Sequence, residues 1–126
     1  MRPHHNLDVW KKAVDFSVEI YRFTEKFPKE ERFGLTSQIR RAAVSIAANI
    51  SEGAGRKSNK DFLRFLSMAQ GSASELETEV LIAHRLGYLD EREFKEIREK
   101  LDDIGRMITG LCRYLEQKAT GTTIND

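Results

Sequence analysis

Between Phe94 and Leu115 the apolar residues Phe94, Ile97, Leu101, Ile104, Ile108, Leu111 and Leu115 follow one another at steps of three and four without a break. A strand alternates with a period of two, so this spacing admits only a helix, and one that buries a narrow stripe. So regular a stripe is the seam of a left-handed bundle or coiled coil. Asp90 stands where an N-cap is needed and Glu93 follows at the third position, close to a capping box.

A helix with such a seam needs partners, and the chain upstream supplies three. Leu7, Trp10, Val14, Ser17, Tyr21 and Thr24 form one stripe of a first segment, with Ala13, Phe16, Ile20, Phe23 and Phe27 beside it, until Pro28 stops it. After the polar PKEER stretch and Gly34, a second segment from about Leu35 to Glu52 carries Leu35, Ile39, Ala42 or Ala43, Ile46 and Ile50 on its core face. A third, from about Asn59 to Leu86, places Phe62, Leu66, Ala69, Ala73, Leu76, Val80 and Ala83 at alternating steps, and Gly87 ends it. Gly71 within its small-residue stretch SMAQGSAS costs roughly 1 kcal/mol relative to Ala, so another helix is expected to pack closely there. Connections this short make consecutive helices antiparallel. The expected fold class is all-α, an antiparallel up-down-up-down four-helix bundle over residues 7–118. An N-terminal arm (1–6) precedes it, and a flexible tail (119–126) without apolar period follows.

The stretch EGAGRKS, residues 52–58, resembles a phosphate-binding loop, yet Ser51 holds the place of the first glycine, Arg56 precedes Lys57, and a helical rather than a strand pattern comes before it. It reads instead as stop, turn and start. Gly53 closes the second helix in the left-handed conformation, Ser58 is the N-cap of the third, and Asp61 suits the dipole of its first turn.

Enzymatic chemistry finds little support. No Glu is followed by a His three residues later, and of the three histidines only His84 lies on a helix, so no metal, cofactor or small-molecule substrate is expected and a nucleophile has no placed base. The one cysteine, Cys112, excludes an internal disulfide and a multi-cysteine zinc site, and reads as a small buried hydrophobe. No apolar run approaches the ~20 residues of a bilayer span, and the start MRPHHNLDVW lacks the apolar core of a secretory signal, so a cytoplasmic protein without a membrane partner is expected.

Charge is uneven along a chain whose net charge is only +1. From Arg40 to Arg64 it sums to +4, through Arg40, Arg41, Arg56, Lys57, Lys60 and Arg64 against Glu52 and Asp61; from Ser74 to Asp103 it sums to −5. Such asymmetry steers a partner or another copy, or it is ordinary solvated surface. The second segment also carries a polar stripe, Gln38, Arg41, Ser45, Asn49 and Glu52, with candidate counterparts on the third in Gln70, Ser74 and Glu77 and in Ser67, Gly71, Glu75 and Thr78. These side chains read a ligand, join subunits or fix the bundle's register.

The blocks LDVWKKAVDFSVEIYRFTEKFP, ERFGLTSQIRRAAVSIAANISEGAGRKSNKDFLRFLSMAQGSASELETEV and LGYL together resemble the 23S rRNA-intervening sequence proteins, small bacterial four-helix bundles. The resemblance spans about Leu7 to Leu115, with its most specific block from Gly34 to Thr78. Two positions depart from the family pattern: Ala48 where proline is common, and Glu79, at an edge, where glutamine is frequent. The resemblance implies homopentameric rings that would give the polar and small-residue faces subunit partners, and a biochemical activity that is not established. A related bundle accompanies reverse transcriptases and is thought to bind nucleic acid through a strongly basic surface, which this chain lacks. The expected function is that of a non-enzymatic, self-assembling binding module. Its leading partner is RNA or an RNA-associated protein, met by the six basic residues; the alternative is a protein scaffold in which the same charges pair between subunits.

Overall fold

A computed structural model describes residues 2–125, with side chains through Lys118. Four helices, α1 (Asp8–Thr24), α2 (Leu35–Ala54), α3 (Asn59–Arg85) and α4 (Glu91–Asn125), follow a short 3₁₀ turn at Pro3–Asn6, and a second such turn at Lys29–Glu31 joins α1 to α2. Each helix packs on two others, α1 on α2 and α4, and α3 on α2 and α4, while no diagonal pair meets among the described residues. This is the expected four-helix bundle. The flexible tail expected at 119–126 falls on residues whose side chains lie outside the described ones, and the α4 backbone is helical to Asn125.

Phe16 and Ile20 of α1, Ile39, Ile46 and Ile50 of α2, Leu66, Leu76 and Val80 of α3, and Ile97, Ile104 and Ile108 of α4 are almost wholly withdrawn from solvent. They are the residues that the three-and-four spacing selects. At roughly 1.5–3 kcal/mol for each buried large side chain, this column is what drives the helices together. The predicted caps form as well: Ser58 Oγ accepts from Asp61 N at 3.1 Å, and Asp90 and Glu93 exchange bonds at 2.8 and 3.0 Å. Gly87 ends α3 with φ +84°, and Tyr88 N reaches back to the Ala83 carbonyl.

Two glycines behave otherwise than expected. Gly53 does not close α2 in the left-handed conformation, since the helix runs through it to Ala54 and Gly87 is the only glycine with positive φ among the described residues. Its role is close approach: a Cβ there would lie 2.7 Å from Phe65 Cβ and 2.9 Å from Phe62 Cδ1, so α3 could not start where it does against any other residue. Gly71, expected at a close crossing, faces outward with nothing within 4 Å of the Cβ it lacks. The small residues of α3 lie on several faces of the helix, and the pattern that reads as one patch along the sequence is dispersed by the 100° turn per residue.

One carboxylate ties the loop end of the bundle. Glu31 accepts from Leu35 N through Oε1 at 3.1 Å, satisfying an orphan donor of the first turn of α2, and from the Tyr88 hydroxyl through Oε2 at 3.0 Å. That bond holds the Tyr88 phenol above its ordinary range, because its proton is shared with an anion.

Candidate functional site

The six basic residues singled out in the sequence divide between two places. Arg56, Lys57, Lys60 and Arg64 gather at the α2–α3 corner, while Arg40 and Arg41 lie about 22 Å away along α2. Arg40 is occupied structurally: its Nε donates to Thr24 Oγ1 at 2.8 Å, a terminal nitrogen donates to the Tyr21 carbonyl, and the guanidinium lies over the Tyr21 ring. It serves a carbonyl and a hydroxyl in the last turn of α1, a common place for a cation.

At the corner, the Arg56 and Arg64 guanidinium carbons sit 4.8 and 4.7 Å from the centroid of the Phe65 ring. Arg56 also meets Glu52 at 2.8 Å, and Arg64 approaches Asp61 at 3.9 Å. Lys57 and Lys60 are exposed and form no ion pair among the described residues. The corner thus offers two free ammonium groups beside two arginines fixed on an aromatic face. Fixed guanidinium planes and free lysines are the side chains by which proteins meet phosphate.

The polar stripe of α2 runs beside α3. Ser45 Oγ shares a hydrogen bond with Ser72 Oγ at 2.9 Å, and Asn49 Nδ2 donates to the Ser45 carbonyl and hydroxyl at 2.9 and 3.0 Å. Gln38, Arg41 and Glu52 stay exposed on the outer side. Of the counterparts expected on α3, Gln70 turns the other way and donates to the Gly105 carbonyl and the Thr109 hydroxyl of α4, both at 3.0 Å. Thr78 bonds back to the Ser74 carbonyl, and Glu75 is exposed. The residues that do face the stripe are Ser72 and Glu79, neither of which the spacing argument selects.

Glu79 is not at an edge. It is 8 % exposed, and its Oε1 is sealed from solvent without a hydrogen-bond partner. Burial, reinforced by the Glu75 carboxylate and opposed by the Arg41 charge, raises its pKa to about 7. Thr36 Oγ1 is the other buried side-chain atom left unbonded among the described residues.

A third surface was not visible in the sequence as a site. Trp10, Val14, Val18 and Tyr21 of α1 and Val44, Ala47 and Ala48 of α2 line an open apolar groove of about 520 Å³. It continues past Tyr21 and Val44 into a depression bordered by Phe33, Arg32, Arg40 and Arg41, where Phe33 is 88 % exposed. The wide two-stripe face of the first segment is its signal: Trp10, Val14 and Tyr21 belong to a stripe that the core does not fully consume.

His84 is engaged with the α3–α4 turn. Its ring stacks on Phe94 at 4.4 Å, Nδ1 lies 2.9 Å from the Leu89 carbonyl, and Nε2 lies 3.1 Å from Glu91. Neither nitrogen meets a hydroxyl or thiol among the described residues. No group of three or more metal-ligating side chains occurs among them either, and no helix is long and apolar enough to cross a membrane.

With this geometry in hand, comparison with known sequences gives a match between residues 5–110 and the family model of 23S rRNA-intervening sequence proteins. The chain belongs to that family. A solved structure of similar shape is described as a protein of unknown function from the S23 ribosomal protein family of Bacteroides thetaiotaomicron; it is 27 % identical, covers 82 % of this chain and 97 % of its own, and superposes with a TM-score of 0.74. No curated protein matches. The family is one of unknown function.

Proposed function

We propose that the chain is a non-enzymatic, self-associating binding module of the cytosol whose α2–α3 corner contacts the phosphate backbone of RNA. The observation that carries this reading is the corner itself, where Lys57 and Lys60 form no ion pair among the described residues and stand beside Arg56 and Arg64 stacked on Phe65. A net charge near zero limits affinity, so binding is modest and depends steeply on salt. Four phosphate contacts on a duplex give a slope of about −3.6 for log K against log salt. A salt titration with a structured rRNA fragment measures it. The double variant Lys57→Glu, Lys60→Glu is expected to abolish binding at low salt, and retention of wild-type affinity by that variant refutes the reading.

A second reading, a purely protein scaffold, is favoured by the ion pairs that already occupy Arg56 and Arg64 and by the apolar groove. Here the corner charges pair between copies in an assembly, a homopentamer if this chain follows the family resemblance. Reversing Arg56 and Lys57 to Glu then changes the assembled mass in light scattering, and an unchanged mass refutes it.

A further inference from the structure

Phe33 leaves 88 % of its surface in solvent, more than any other large apolar side chain among the described residues. A single exposed apolar residue is ordinary, but this one stands in a basic and aromatic setting. It borders the depression of about 450 Å³ beyond the α1–α2 groove, together with the half-exposed Tyr21 and with Arg32, Arg40 and Arg41. The Arg32 guanidinium carbon lies 5.4 Å from the Phe33 centroid, and that of Arg40 lies 4.5 Å from the Tyr21 centroid, so rings and guanidinium groups are interleaved. No acidic side chain lines the depression. Arg32 and Arg41 form no ion pair among the described residues, although the Arg41 charge is felt by Glu79.

The backbone beneath the Phe33 ring is pinned. Arg32 N donates to the Lys29 carbonyl at 3.1 Å, Gly34 N to the Glu31 carbonyl at 3.0 Å, and Leu35 N to the Glu31 carboxylate. A fixed loop thus presents the ring with Arg32 over one face.

We propose that this depression is a base-stacking subsite for an unpaired stretch of RNA, with a base on Phe33 and the flanking phosphates on Arg32 and Arg41. It rests on the RNA reading above and names the form of RNA that is met. A cationic surface with interleaved aromatic faces is the general means of holding a single strand, because every base has a π face to offer. Paired bases are stacked on one another and offer none. The depression and the α2–α3 corner also look out from the same side of the bundle. Arg41 and Glu52, both exposed, are 11 residues apart on α2, about three helical turns, and Glu52 is bonded to Arg56 of the corner. One strand laid along the outer face of α2 therefore meets both.

The test is fluorescence anisotropy at low salt on the full chain, with three labelled probes: an unpaired oligoribonucleotide, the same strand annealed to its complement, and the same strand carrying abasic positions. The ring lies outside the core, so Phe33→Ala is expected to keep its fold, which circular dichroism checks. It is expected to weaken binding of the unpaired strand about tenfold and to leave the duplex and the abasic strand as they were. Phe33→Trp is expected to bind the unpaired strand at least as well as wild type. If Phe33→Ala binds the unpaired strand like wild type, or loses affinity for all three probes alike, this inference fails while the corner, tested by Lys57→Glu, Lys60→Glu, stands. Displacement of the unpaired strand by polyglutamate as effectively as by unlabelled strand would assign the depression to an acidic protein and overturn the inference. If wild type binds none of the three probes, both readings fail.

Discussion

Two glycines in helix interiors carry opposite predictions. Gly53 lies where a Cβ would come within 2.7 Å of Phe65 Cβ, so Gly53→Ala forces α2 and α3 apart and is expected to cost about 1–3 kcal/mol. Gly71 meets nothing, so Gly71→Ala is expected to gain roughly 1 kcal/mol from helix propensity alone. Urea denaturation of the two variants checks both signs. Glu79 gives a third prediction at this scale. Its folded pKa, near 7, stands above the 4.5 of an ordinary Glu, so the folded state holds the proton more tightly than the unfolded one. The stability this contributes is full below pH 4.5 and is lost as pH rises through 7. Glu79→Gln should therefore match wild type near pH 4.5 and exceed it at pH 8 by on the order of 2 kcal/mol. Equal stability at pH 8 would show that the buried carboxyl is relieved within its own chain.

At the scale of the elements, the helices were legible because their signals are local. Three-and-four spacing selects the core, and Ser58, Asp90 and Gly87 mark their ends by chemistry that acts within one turn. The Asp90 and Glu93 exchange is strengthened by an ion pair from Lys26 to Glu93, which couples the start of α4 to the segment after α1. Asp90→Ala is expected to lower stability by about 1 kcal/mol in urea denaturation, the usual effect of losing an N-cap. Gly53 was misread for an instructive reason. A glycine near a helix end looks the same in sequence whether it serves a turn or a close crossing, and only the position of Phe65 on the next helix decides between them.

The arrangement of sites belongs to the whole molecule, and here the sequence says less. Arg40 and Arg41 belong to the same basic run as the corner residues but lie about 22 Å from them in space, and Arg40 is spent on the Thr24 hydroxyl and the Tyr21 carbonyl of α1. Gln70 and Glu75 differ by five positions and face different neighbours, because five residues turn the helix by about 140°. The same long-range view sets where the bundle yields first. The α1–α4 seam has the slightest packing of the four and is bridged by Lys100 with Glu19 and by Lys26 with Glu93, whereas α2 and α3 share the most extensive contact. Native-state hydrogen exchange is accordingly expected to find α1 and α4 amides opening below the global stability and those of α2 and α3 only with it. Uniform protection across all four helices would contradict that order.

The stacking of Arg56 and Arg64 on Phe65 has a consequence for whatever anion meets that corner. A free arginine gives up on the order of 2 kcal/mol of rotamer freedom when a ligand fixes it, and these two have surrendered part of theirs in folding. Phe65 is in turn seated against the helix at Gly53, so the orientation of both guanidinium groups is inherited from the core. Trimming the ring, as in Phe65→Leu, would leave every charge in place and still weaken the corner as a receptor, since the loss would be one of readiness rather than of attraction.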